Sequence, residues 1–121
     1  VIADDDAATL EGLTEFLAEF GFSVVPVRDG QEAMNLIVGG LVPALLIVDL
    51  AMPHLRGDEL LKYLQSDPEL RFVPVLVVTG APGQIGHAVA DAILPKPIDL
   101  VALLSHVRRL TSSPRGDRVV G

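Results

Sequence analysis

The sequence contains no cysteine. A disulfide frame and a thiolate metal site are both excluded. Aromatic residues make up only 4% of the chain, too few for a base-stacking platform. Basic residues are scarce beside acidic ones, 9 Lys and Arg against 16 Asp and Glu, which gives a formal net charge of -7. Such a domain lacks the basic face that phosphate backbones require, so direct nucleic-acid binding is not expected. Long apolar runs are missing as well. The stretch from Leu41 to Val48 is broken by Pro43 and ended by Asp49, well short of the roughly 18 residues of a membrane span. The chain opens on Val1-Ile2-Ala3 and then three aspartates, which is no signal-peptide pattern. A cytoplasmic location without membrane contact is the expectation.

What is present is apolar. Half of the 121 residues are hydrophobic (50%), and mean hydropathy is +0.47. That suits one domain with one core and no staples. Strand-like runs at 1–3, 23–27, 44–48, 74–78 and 92–95 alternate with helix-period segments at 7–20, 31–38, 57–66, roughly 84–90, and 99–110. This alternation predicts βαβ units and a parallel sheet covered by helices on both faces. Leu10, Leu13, Leu17 and Phe20 fall on one face of the first helix, and Gly21 suits its C′ position. Asp29-Gly30-Gln31-Glu32 reads as a capping box. Asp99 suits the N-cap of the last helix, whose apolar face reads Leu100, Leu103, Leu104, Val107 and Leu110. Three residues precede Asp4 where about five are normal in a strand, which predicts further chain upstream. The segment 111–121 has linker composition, so the domain is expected to span 1–110.

Chemistry is expected where the strands end. Asp4 and Asp5 follow the first strand, and Asp49 ends the third. A parallel sheet gathers the carboxyl ends of its strands along one edge, where ligands sit in open α/β sheets. If the two strands are neighbours, three carboxylates crowd one cleft. Like charges so placed raise one another's pKa unless a cation joins them. The cluster therefore asks for a divalent metal, with Lys96 available downstream. Thr79 ends the fourth strand and Lys96-Pro97 the fifth. Met52-Pro53 and Gly57 follow Asp49.

This order of anchors resembles the receiver domain of bacterial response regulators, over Val1 to about Leu110. The resemblance implies a flavodoxin-like (βα)5 fold with a five-stranded parallel sheet in the order 2-1-3-4-5. It implies Asp49 as the phospho-acceptor, with the phosphoryl group coming from a sensor histidine kinase or a histidine phosphotransfer protein. Asp4, Asp5 and Asp49 would hold Mg²⁺, with the carbonyl of Ala51 as a further ligand. Thr79 would hydrogen-bond a phosphoryl oxygen, and Lys96 would pair with Asp49 and then with the phosphoryl group. A cis Lys96-Pro97 bond is implied too. The domain would be a regulatory switch, not an enzyme of metabolism. Its downstream effector is unnamed by the sequence, and a homodimer is compatible with this reading.

Two departures stand out. Ile93 occupies a position that is commonly Tyr or Phe in the family. The stretch from Gly80 to Pro95 is shorter than usual and rich in glycine and proline, which predicts a short or irregular fourth helix. Ala51 and Ala81 are small residues near the acceptor and predict little shielding of an acyl phosphate from water. His54, His87 and His106 show no metal-ligand spacing. Arg108 and Arg109 suit the negative end of the last helix dipole, and Tyr63 is expected to pack.

One rival reading is a degenerate receiver used as a phosphorylation-independent binding or dimerisation module. Another is a small enzyme on the same fold. A haloacid-dehalogenase-like phosphatase would want Asp where Ala51 stands. A flavodoxin would want a hydroxyl- and glycine-rich loop where the chain is acidic.

Overall fold

The computed structural model describes residues 1–49, 57–80 and 90–112. Its elements in chain order are β1 (Ile2–Ala3), α1 (Ala7–Glu19), β2 (Pro26–Val27), α2 (Gly30–Val38), β3 (Leu46–Asp49), α3 (Gly57–Ser66), a 3₁₀ turn (Leu70–Phe72), β4 (Val75–Thr79), β5 (Ala92–Pro95) and α4 (Leu100–Thr111). The five strands form one parallel sheet, as the alternation of runs predicts, in the order β2-β1-β3-β4-β5 that the resemblance implies. The helix expected over 84–90 falls outside the described residues except at Ala90, which is not helical.

Strand alternation sorts the apolar side chains into two cores. Leu46, Val48, Val75 and Val77 face Ala33, Ile37, Leu60, Leu61 and Leu64 of α2 and α3. Their neighbours Ile47, Leu76 and Val78 face Leu10, Leu13 and Leu17 of α1 and Leu103, Val107 and Leu110 of α4. The sheet is thus covered on both faces. A fully buried leucine in such a layer contributes about 1.5–3 kcal/mol. Tyr63 packs half-buried against the first of these cores.

The helix ends follow their capping residues. Asp6 caps α1 by accepting from the Ala8 N–H, and it also accepts from the Thr9 hydroxyl. These groups, Thr9 foremost, hold the Asp6 carboxyl below its usual range. Asp99 caps α4 through the N–H groups of Val101 and Ala102. Asp29 caps α2 through Glu32, but the return bond differs from a standard box. The Glu32 carboxylate accepts from Arg28, one residue before the cap. Gly21 takes the positive φ of a C′ residue, and Gly40 does so after α2.

Three expectations need correction. Only Pro26–Val27 of the run 23–27 is paired as strand. Phe20 is not in the apolar face of α1: it is the C-cap, 44% exposed, with the tilted Phe16 ring on one side and the Arg108 guanidinium over its own ring. Helix α1 ends one residue before it, so the 3.6 period no longer governs its direction. Leu100 opens α4 and is 43% exposed, because burial begins one turn later at Leu103. Leu104 is half-buried at the edge of that face.

Candidate functional site

The described part of the core holds three buried polar side chains, Asp4, Asp49 and Thr79. All three stand at the carboxyl ends of strands. Asp4 follows β1, Asp49 ends β3 and Thr79 ends β4. Because β1 and β3 are direct neighbours, in register Ala3 to Val48, the two aspartates meet. One carboxylate oxygen each from Asp4, Asp5 and Asp49 lies within 4.8 Å of the others. Asp5 is exposed while its two companions are buried, so the cluster opens to water on one side.

Lys96 reaches this cluster from the other side of the sheet. Its Nζ stands 3.0 Å from Asp4 Oδ2 and 3.0 Å from Asp49 Oδ2. The Lys96 main-chain N–H donates to the Thr79 carbonyl at 2.8 Å. The Lys96–Pro97 bond is cis, as expected. Asp4 Oδ1 accepts from the Asp6 N–H at 2.9 Å, so both oxygens of this fully buried carboxylate are engaged.

Burial dominates the electrostatics of Asp4 and pushes its carboxyl above the usual range, against the pull of the Asp6 N–H and Lys96. The Asp49 charge adds to the rise. Lys96 is pulled down by its own burial, but its bonds to Asp49 and Asp4 outweigh this and hold the ammonium above its ordinary value. Three carboxylates facing one ammonium leave an excess of negative charge. Such a set of hard oxygen donors, one side wet, suits a small divalent cation that keeps part of its water.

The structure therefore brings together Asp4, Asp5, Asp49 and Lys96, with Thr79 at the same edge. Ala51, Ala81, His54 and His87 lie outside the described residues. His106 stands away from this edge on α4, its Nδ1 2.9 Å from an Arg109 nitrogen. Ile93 lies on β5 and is 44% exposed. Sequence reasoning had paired Lys96 with Asp49 and missed its equal contact with Asp4. Those residues are 92 apart, and no local pattern links them. It also missed Asp91, whose carboxylate accepts from the Val75 N–H at 2.8 Å.

Comparison with known proteins agrees with this geometry. The family described as "Response regulator receiver domain" matches residues 1–108. The chain is 36% identical over 116 residues to "Response regulator MprA" of Mycolicibacterium vanbaalenii, a match covering 91% of this chain and 48% of that protein. The chain thus spans about half the length of this curated relative. Among solved structures, the signal receiver domain of a signal transduction histidine kinase from Syntrophus aciditrophicus superposes with a TM-score of 0.83 at 34% identity. That match covers 92% of this chain and 87% of the other. A putative response regulator from Chloroflexus aurantiacus gives a TM-score of 0.83 at 29% identity, over 93% and 95% of the two chains. No described helix is long and apolar enough to cross a membrane. The chain belongs to the response regulator receiver domain family.

Proposed function

We propose that this domain, residues 1–110 with 111–121 as tail or linker, is a phospho-accepting switch whose acceptor is Asp49. The observation that carries this reading is the double ion pair of Lys96 with Asp4 and Asp49 inside a three-carboxylate cluster. A buried cluster of this charge costs stability, and a structural role alone gives no reason to keep it. Mg²⁺ would be held by Asp5 and Asp49 with Asp4 beside them, and by the Ala51 carbonyl. When bound, Mg²⁺ offsets the charge on phosphoryl oxygens and orients them.

The chain's own residues do the rest. A carboxylate oxygen of Asp49 attacks phosphorus and forms the P–O bond of an acyl phosphate. The N–P bond of a phosphohistidine donor breaks, and its electron pair returns to the ring nitrogen. Lys96 then follows the charge from the carboxylate to the phosphoryl group, and the Thr79 hydroxyl donates to a phosphoryl oxygen. The new charge biases two pre-existing surface arrangements. With Ile93 in place of an aromatic ring, this bias reaches the surface without ring rotation. The donor is a sensor histidine kinase or a phosphotransfer protein, the setting is cytoplasmic, and the output belongs to a downstream effector. The domain assists its own phosphorylation and dephosphorylation and turns over no metabolite.

Intact mass after incubation with acetyl phosphate tests the proposal. The expected result is one phosphoryl adduct that requires both Mg²⁺ and Asp49, and so is absent from Asp49→Asn. A folded protein that gains no adduct would favour the phosphorylation-independent module instead.

A further inference from the structure

Among the described residues, strand β5 is the outer strand beyond β4 and pairs with β4 alone. Its side chains specify its register weakly. Leu94 is 6% exposed and its neighbour Ile93 is 44% exposed. The two are isomeric aliphatic residues, so a slip of one position would exchange one for the other in the same core site. The same slip would turn Lys96 to the opposite face of the sheet, because successive side chains alternate.

Anchors at its two ends supply what the side chains within the strand do not. At the upper end, the Thr79 carbonyl accepts from the Lys96 N–H at 2.8 Å. Pro95 and Pro97 flank that donor and have no N–H of their own. At the lower end, Asp91 grips Val75 twice. Its N–H donates to the Val75 carbonyl at 2.8 Å, and its Oδ2 accepts from the Val75 N–H at 2.8 Å. Val75 is 6% exposed, and a buried strand N–H needs an acceptor. Here that acceptor is a side chain which reaches Val75 in one register of β5.

We propose that Asp91 is a positioning residue for phosphoryl transfer. Its carboxylate pins the start of β5 to Val75 and so sets where Lys96 stands against Asp4 and Asp49. The proposal rests on the reading of Asp49 as acceptor, and it deepens that reading by naming what holds Lys96 in place.

Asp91→Ala, Asp91→Asn, Lys96→Ala and the Asp91→Ala/Lys96→Ala pair test it, with three readouts. The first is the NMR cross-strand pattern between β4 and β5 in the unphosphorylated protein. Contacts of Leu94 with Val78 should weaken or split into two sets in Asp91→Ala and persist in Asp91→Asn, which keeps an acceptor oxygen. The second is the rate of adduct formation from acetyl phosphate at saturating Mg²⁺. It should fall about fivefold or more in Asp91→Ala, because a small misplacement of a reacting group is costly. Asp91→Asn should restore it. In the Lys96→Ala background, Asp91→Ala should cause no further loss, as expected when one residue acts through another. The third is Mg²⁺ affinity, which should stay within about twofold, since its carboxylates stand on other strands.

Should Asp91→Ala lose its fold, Asp91→Glu displaces the carboxylate by one methylene and carries the same readouts. A native cross-strand pattern with an unchanged rate in Asp91→Ala would overturn the proposal. So would an equal further loss of rate in the Lys96→Ala background, which would make Asp91 merely structural. A wild-type protein that takes no phosphoryl group would sink the acceptor reading instead, and the cross-strand pattern would then decide the register claim alone.

Discussion

The two ends of the same sheet are built on opposite terms. At the carboxyl ends of the strands, buried carboxylates crowd together and one lysine ties two of them. At the amino ends, an apolar groove of about 310 Å³ opens between residues such as Ile2, Val24, Leu41 and Leu45. Strands β1 and β3 contribute to both ends. The difference teaches where this fold places stability and where it places reactivity. Apolar burial holds the layers together. The polar edge holds charge that burial itself disfavours, as the raised Asp4 carboxyl records.

That contrast can be broken at either end. The largest effect is expected from the core. Leu76 is fully buried in the middle of β4, and Leu76→Ala should cost about 2–5 kcal/mol in urea denaturation. It should do so equally with and without Mg²⁺. The polar end should respond to the cation instead. Mg²⁺ at about 100 times its dissociation constant should add about 2.7 kcal/mol to the stability of the wild-type protein. Asp49→Asn should lose most of that gain, and thermal melts with and without Mg²⁺ read both.

The third effect is smaller and has an unusual sign. A paired carboxylate ordinarily has a depressed pKa and adds stability above its unfolded value. Asp4 is raised, so its charged form is the disfavoured one in the folded state. Without divalent cation, its contribution is most favourable in acid and worsens as pH rises through its raised folded value. Asp4→Asn keeps an acceptor for the Asp6 N–H and removes the buried charge. It should raise stability near neutral pH by up to about 1 kcal/mol. The gain should shrink as pH falls into the carboxylate range. Denaturant midpoints at several pH values check this, and a stability loss at neutral pH would contradict it. Lys96 has the same sign of pH dependence in a different window. Its raised ammonium contributes below the ordinary lysine value and is lost only as pH climbs past its folded value, so it leaves the acidic window untouched.

Much of this arrangement was legible in the sequence because the carboxyl edge is a local feature repeated strand by strand. Each of Asp4, Asp49, Thr79 and Lys96 closes an apolar run, and a parallel sheet lines such closures up. The strand order was legible through the family resemblance, because no local pattern names a strand's neighbours. The cap at Asp99 was legible for the same local reason as the strand closures. What escaped is long-range or end-dependent. The Lys96–Asp4 contact depends on how far a flexible side chain leans across the intervening strands β3 and β4. The Asp91–Val75 bond depends on register, which adjacent aliphatic residues in β5 do not reveal. Phe20 and Leu100 obey the helical period in sequence but sit at helix ends, where the period stops predicting burial.

The most direct test of the central claim is to locate the phosphoryl group. Protein treated with acetyl phosphate and Mg²⁺ is reduced with borohydride, which converts an acyl phosphate to the corresponding alcohol, and is then digested and sequenced by mass spectrometry. The account predicts homoserine at position 49 and unchanged aspartate at positions 4 and 5. Homoserine at Asp4 or Asp5 instead, or at none of the three, would contradict it.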